Sequence, residues 1–215
     1  MLVRLVDVSK RYGGRWALAR VSLELDRPAV ILLTGENGAG KTTLLKIIAT
    51  LQRPTSGEVE LFGLRVVDNL KSVRRRLGLI THQAHLYFDL TARENLLLVA
   101  RLTGGDTRVV DGLLDRVGLS DRREQLVRTM SAGQKRRVSV AKLLLQRPRI
   151  ALLDEPFTQL DPGGVELMEE VVRELRAAGS LIVLATHDID RGKALADAHL
   201  TLALGSAESL TKVAA

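Results

Sequence analysis

Four short stretches of the chain are apolar almost without interruption: residues 30–33, 77–80, 150–153 and 181–185. Such runs, rich in Ile, Val and Leu, predict strands covered on both faces, as in a parallel sheet layered between helices. Between several of them the apolar positions recur at helical spacing instead. Over 165–178, Met168, Val171, Val172 and Leu175 line one side, and acids and arginines line the other. Asp161 and Pro162 stand before that segment and Gly179 after it, which predicts its ends. The alternation of strand and helix predicts an α/β fold with a mostly parallel sheet.

The first thirty residues follow a different rule. Residues 2–6 and 21–25 alternate strictly between apolar and polar, the pattern of half-exposed antiparallel strands, so a small N-terminal antiparallel β region is expected ahead of the main sheet. From about 90 to 145 the pattern is mostly helical, broken at Gly104-Gly105 and around 118–121, and reads as a helical subdomain inserted between core strands. The expected organisation is one domain, 1–215. Within it, 1–89 and 146–204 form a core with its β region, about 90–145 the helical subdomain, and 205–215 a short tail. No internal repeat, low-complexity linker or coiled-coil arm interrupts it.

Candidate chemistry begins directly after the first apolar run. Gly35-Glu36-Asn37-Gly38-Ala39-Gly40-Lys41-Thr42 lies between residues 29–33 and the helix-like stretch that opens with Thr43 and continues to Leu51. Its glycines let the backbone turn N–H groups inward around phosphate oxygens, and the following helix offers its positive N-terminus. Lys41 supplies a mobile cation and Thr42 a hydroxyl for Mg²⁺. A strand before and a helix after are the context that separates a phosphate-binding loop of a P-loop NTPase core from a Gly-rich turn that merely starts a helix. Nucleotide is therefore the expected ligand.

Two further segments complement the loop. Asp154 and Glu155 end the apolar run 150–153. There Asp154 is placed to hold Mg²⁺, and Glu155 to orient or deprotonate an attacking water; the competing reading is a strand ending in solvated acids. Met130-Ser131-Ala132-Gly133-Gln134 opens a helix running to about Gln146, and Ser131 with Gln134 has capping-box spacing. Ser131 and the bare amides behind it form an anion site, with Gly133 letting a phosphate come close, or else this is an ordinary helix start.

Composition narrows the setting. The chain is 46% apolar over 215 residues, has no run long enough to span a bilayer, and begins without the layout of a secretory signal, so a soluble, cytoplasmic protein is expected. The absence of cysteine removes disulfides, thiolate metal sites and cysteine nucleophiles. A net charge of +7 is densest at 71–76. It reads either as a solvated face or as a surface close to an anionic membrane, while the shortage of aromatics argues against stacked single-stranded bases, and no nucleic acid is expected.

With these motifs in order, the chain resembles the ATP-binding subunits of ABC transporters from Val3 to about Leu204. Tyr12 lies upstream of the loop where that family stacks an aromatic on adenine. Gln83 follows a strand as the Q-loop glutamine does. Residues 130–134 match the LSGGQ signature with Met130 for Leu and Ala132 for the first Gly. Asp161 occupies the D-loop position, in Thr158-Gln159-Leu160-Asp161 where SALD is common, and His187 the H-loop position. The resemblance implies ATP and Mg²⁺ as ligands. Tyr12, the loop with Thr43, Ser131, Gly133, Gln134 and Asp161 would contact nucleotide, Thr42, Gln83 and Asp154 the metal, and Glu155, His187 and Gln83 would serve catalysis. It further implies a head-to-tail homodimer or ABC-type heterodimer, in which the loop of one subunit and the Ser131 helix of the other sandwich each ATP. Integral membrane permease subunits would be the partners, at the cytoplasmic face of the cell membrane.

Taken without the resemblance, Tyr12 is equally a turn aromatic and His187 a hydrogen-bonded structural histidine. Tyr87 and Phe88, just past Gln83, read either as a contact for the membrane subunit or as core. Ser131 to Val138, and Asp154-Glu155-Pro156-Phe157-Thr158 followed by Asp161 and Gly164-Val165, look most like the haem exporter ATPase of cytochrome c maturation. The alternatives are the ATPase of another ABC exporter, a soluble ABC ATPase of DNA repair or translation, and a nucleotide switch that only binds.

Overall fold

A computed structural model describes residues 1–203 and, as strand backbone, 206–212. The chain runs through β1 (Val3–Tyr12), β2 (Arg15–Leu25), β3 (Val30–Thr34), α1 (Lys41–Ile48), β4 (Ser56–Leu61), β5 (Leu64–Arg65), α2 (Val66–Arg74) and β6 (Leu77–Ile80). Three helices follow, α3 (Ala92–Thr103), α4 (Val110–Arg116) and α5 (Ala132–Gln146), then β7 (Ile150–Asp154), α6 (Pro162–Ala177), β8 (Leu181–Ala185), α7 (Ile189–Leu195), β9 (Ala198–Ala203) and β10 (Ser206–Lys212). The strands form two sheets: an antiparallel one ordered β2-β1-β4-β5, and a larger one ordered β10-β9-β3-β8-β7-β6, parallel except where β10 pairs with β9.

The apolar runs become the centre of the larger sheet because each supplies both of its faces. Ile31 and Leu33 of β3, Ile150 and Leu152 of β7, and Leu181 and Val183 of β8 point into a core shared with the small sheet and α1. Their alternate neighbours, Val30, Leu32, Ala151, Leu153, Ile182 and Leu184, enter a second core beneath α3, α4, α5 and α6. This is the period-two geometry of a strand with no solvent face. Each fully buried Val, Leu or Ile contributes about 1.5–3 kcal/mol of hydrophobic stabilisation. Since β3, β8 and β7 are adjacent and parallel, their C-terminal ends open on one edge, and the residues that follow them meet there.

Several elements depart from the sequence expectation. β1 and β2 extend to Tyr12 and back to Arg15, well past the alternating cores at 2–6 and 21–25. β4, β5 and β9 have no continuous apolar run and were not expected. The stretch anticipated as a short tail contains β10, whose backbone pairs Ser206 with Ala203 and Lys212 with Ala198; residues 204, 205 and 213–215 lie outside the described residues. The helical stretch from 92 to 146 breaks at Gly104 and again around 118–121 as expected, but the second break runs on to Thr129 and includes the 3₁₀ turns Ser120–Arg122 and Val127–Thr129.

Two local features of this helical stretch have measurable consequences. A capping box that sequence reading passed over starts α3: Glu94 N–H donates to the Thr91 hydroxyl at 3.1 Å and Thr91 N–H to the Glu94 carboxylate at 2.8 Å. Thr91→Ala is expected to lower stability by about 1 kcal/mol, read as a shift in the urea midpoint. On α5, burial pulls the Lys142 ammonium below the usual lysine range, with the His85 carbonyl at 3.3 Å as its partner. A base whose pKa is depressed on folding penalises the fold fully below its folded pKa, and the penalty disappears above the free-lysine value of about 10.4. Lys142→Met is therefore expected to raise the melting temperature at neutral pH, with a gain that shrinks toward pH 11.

Candidate active site

The loop after β3 is shaped by close backbone approach. Gly40 has φ +100° and lies so near β2 that a Cβ there would stand 2.3 Å from the Ala17 carbonyl oxygen and 2.7 Å from Leu18 Cδ2. Gly38, at φ +86°, faces open space. Lys41, the first residue of α1, curls its ammonium back to the carbonyls of Gly35 at 2.6 Å and Glu36 at 3.1 Å. These are neutral acceptors that an incoming anion outcompetes for a cation. Asn37 is exposed and Ala39 buried, while Thr43 is half-buried on the first turn of α1.

At the neighbouring strand ends the carboxylates take different positions. Asp154, the last residue of β7, is buried and accepts a hydrogen bond from the Thr42 hydroxyl at 2.8 Å. Glu155 turns out of the strand with φ +51°, a left-handed conformation that costs a non-glycine residue about 1–3 kcal/mol. Its N–H donates to Ala185 at the end of β8 (2.8 Å), holding the turn against the next strand. Its carboxylate accepts from the His187 backbone N–H at 3.3 Å and lies 3.5 Å from His187 Nε2. The two acids predicted at this strand end thus adopt different environments: Asp154 bound to the loop, Glu155 partly exposed beside an exposed histidine.

A hard cation fits the first of these pairs. Thr42 contributes a hydroxyl and Asp154 a carboxylate, the oxygen donors Mg²⁺ prefers. Among the described residues no three His, Cys, Asp or Glu side chains converge, so a dedicated metal cage is not built. A cation sharing one or two protein oxygens with a phosphate is the type of site the donors match. Gln83 does not join this pair. It lies after β6, where its N–H and carbonyl both engage the Thr81 hydroxyl, at 3.2 and 2.9 Å.

The Ser131 segment forms the expected capping box, with Gln134 N–H to Ser131 Oγ at 3.2 Å and Ser131 N–H to Gln134 Oε1 at 2.9 Å. Ser131 opens on a cleft it shares with Gly133, Gln134, Gln159 and Asp161, and with no residue of the 35–42 loop. Gly133 is required by contact: a Cβ there would meet the Gln159 carbonyl at 2.9 Å, whereas Ala132 is exposed and its methyl group is accommodated. Asp161 is gripped by Arg137 of α5 at 2.6 Å, and that contact holds its carboxyl below the usual range. Tyr12, at the end of β1, is 45% exposed; its hydroxyl donates to Gln52 and Lys10 lies 5.3 Å from its ring centre. Tyr87 and Phe88 are 58% and 52% exposed, so the core reading for them is set aside.

Sequence reading missed Arg136. Although it lies inside the run Lys135-Arg136-Arg137, it is 3% exposed, and its guanidinium donates to the carbonyl of Thr81 at 2.8 Å and the hydroxyl of Thr158 at 3.0 Å. The signal was periodicity: Arg136 lies four and seven residues before Val140 and Leu143, on the buried face of α5.

Residues 18–158 match a family described as ABC transporter. Among curated proteins, the chain is 33% identical to the bacitracin transport ATP-binding protein BcrA of Bacillus licheniformis, over 91% of this chain and 65% of that protein. It is 39% identical to the daunorubicin resistance ATP-binding protein DrrA3 of Streptomyces coeruleorubidus, over 87% and 61%. It is 35% identical to the cell division ATP-binding protein FtsE of Escherichia coli, over 93% and 97%. The chain thus spans a little under two thirds of the first two relatives. A solved ATP-binding subunit of an ABC transporter superposes with a TM-score of 0.92 at 30% identity, over 99% of this chain and 90% of that one. The ATP-binding cassette MJ0796, solved as a dimer in a post-hydrolysis state with ADP and Pi, superposes with a TM-score of 0.89 at 28% identity over the whole of both chains.

Proposed function

Because this chain belongs to the ABC transporter family, we propose that it is an ATP-binding and ATP-hydrolysing subunit that dimerises on ATP and drives a membrane transport partner. The carrying observation is the convergence at the sheet edge: Thr42 hydrogen-bonded to Asp154, and Glu155 beside His187 one residue further on. A nucleotide switch would need only the loop; a carboxylate turned out of its strand at φ +51° favours hydrolysis.

In this reading Lys41 exchanges the carbonyls of Gly35 and Glu36 for phosphate oxygens, and the loop amides with the N-terminus of α1 hold the rest of the phosphate chain. Glu155 orients the attacking water and accepts its proton, with His187 holding the carboxylate in place. Thr42 and Asp154, together with Gln83, would hold Mg²⁺, which when bound neutralises phosphate charge. Tyr12, 45% exposed, would stack on adenine. Ser131, Gly133, Gln134 and Asp161 open away from their own loop, and they serve the nucleotide of a second copy or an ABC-type heteromeric partner. The dimeric MJ0796 structure supports that arrangement. In this account residues 1–89 and 146–204 act as the core that binds ATP, and about 90–145 as the helical unit that delivers the signature segment.

Among the described residues no helix is long and apolar enough to cross a membrane. Attachment to integral membrane permease subunits at the cytoplasmic face is part of the proposal, with exposed Tyr87 and Phe88 in the contact. The finer reading, haem export in cytochrome c maturation, rests on residues 131–138 and 154–165 of this sequence; relatives named for bacitracin transport and daunorubicin resistance support the ATPase of another exporter equally well. Phosphate release from ATP by the purified chain tests the enzymatic half: no release with Mg²⁺ present, at concentrations where the dimer forms, contradicts it. Copurification of a haem-handling membrane protein with the tagged chain supports the finer half, and recovery of an unrelated permease overturns it.

A further inference from the structure

We propose that Arg136 is a positioning residue that locks the helix carrying Ser131 to the turn carrying Glu155, so that the hydrolytic carboxylate is held in place only while α5 is seated. The proposal rests on the ATPase reading and deepens it. One buried guanidinium reaches two separate segments with four hydrogen bonds: Nη1 donates to the Thr81 carbonyl at 2.8 Å, Nη2 to the Thr158 hydroxyl at 3.0 Å and the Glu155 carbonyl at 3.3 Å, and Nε to the Thr158 carbonyl at 3.4 Å. The planar fork of arginine is suited to this task; an ammonium has no rigid plane with which to serve all of these acceptors together.

The acceptors are the ones that matter for geometry. The Glu155 carbonyl belongs to the residue at φ +51°, so fixing that peptide fixes the direction in which the side chain leaves the strand. The same carbonyl also accepts from the Thr158 hydroxyl at 2.8 Å, which closes a ring of contacts through the turn that ends at Gln159, itself at φ +66°. Thr81 lies two residues before Gln83, and its hydroxyl holds the Gln83 backbone. Displacement of α5 therefore pulls on the Glu155 turn and on the base of the Gln83 segment together.

The energetics point the same way. None of these direct partners is a carboxylate, so the charge is buried among neutral dipoles; burial lowers the guanidinium pKa, and Asp154 and Glu155 offset this only through longer-range attraction. Burying a cation without a contacting anion is costly, and an apolar residue of similar volume commonly stabilises a core better. A costly residue tied to the catalytic turn is therefore read as serving alignment.

The test compares the parent chain with Arg136→Met and Arg136→Lys, by steady-state ATP hydrolysis and by amide hydrogen exchange without nucleotide. Exchange over 155–159 and 81–83 is expected to accelerate about tenfold in both variants, while β8 amides keep their protection. The kcat is expected to fall about 10–100-fold with KM for ATP within about twofold, more for Met than for Lys. Unchanged exchange over 155–159 in a folded variant overturns the proposal, as does a loosened turn with an unchanged kcat. If Arg136→Met does not fold, Arg136→Lys decides. The exchange measurement needs no turnover, so a parent chain that hydrolyses no ATP overturns the ATPase reading and the catalytic half of the proposal, while the exchange result still judges the mechanical link.

Discussion

Exchanging Glu155 for Gln is expected to lower ATP turnover about 10²–10⁴-fold while leaving ATP binding intact. Glutamine keeps the size of the side chain, meets the same backbone demand at φ +51°, and still presents an oxygen to the His187 N–H that Glu155 engages at 3.3 Å. What disappears is the carboxylate proposed to accept a proton from water. Contacts to the triphosphate that close the dimer are untouched, so the closed form should accumulate instead of reopening. Phosphate release together with size-exclusion chromatography in ATP checks both halves: slow release with a persistent dimer is expected. Parental turnover by the variant would remove Glu155 from its role.

The second large effect is on binding. Lys41→Ala removes the ammonium that lies on the Gly35 and Glu36 carbonyls and would transfer to phosphate oxygens. Hydrogen bonds to charged groups contribute about 1.5–3 kcal/mol each, so losing two of them should weaken ATP affinity about 10²–10⁴-fold. The fold should hardly notice, because the apolar residues of α1 that face the core, Leu44, Leu45, Ile47 and Ile48, are unaffected. Titration with a fluorescent ATP analogue measures the change. An affinity within about threefold of the parent would show that the loop amides alone hold the phosphates.

Features that were legible in the sequence share a physical origin. Strands buried on both faces must be apolar throughout, so β3, β6, β7 and β8 announce themselves, and a loop that wraps phosphate must be glycine-rich at fixed spacing. The acids at 154 and 155 follow because a buried strand has one place to put a charge, its end. β4 hid because it is half-exposed and carries Gly57, while β9 interleaves His199 and Thr201 with its leucines. Arg136 hid for the opposite reason. A cation in a basic run reads as solvated, and only its register on α5 places it inside. Sequence also could not foresee that Gln83 engages Thr81, since that bond depends on loop conformation.

The Ser131 cleft and the 35–42 loop share no lining residue, although both are proposed to bind phosphate. In the proposed function that separation makes the pocket a product of two chains, and dilution interrogates the proposal directly. Specific ATPase activity measured across a dilution series, with Mg²⁺ and saturating ATP, should fall with protein concentration once the dimer dissociates, and should recover when an inactive Lys41→Ala copy with an intact Ser131 segment is added back. Activity per chain that stays constant into the range where only monomers exist would contradict the account.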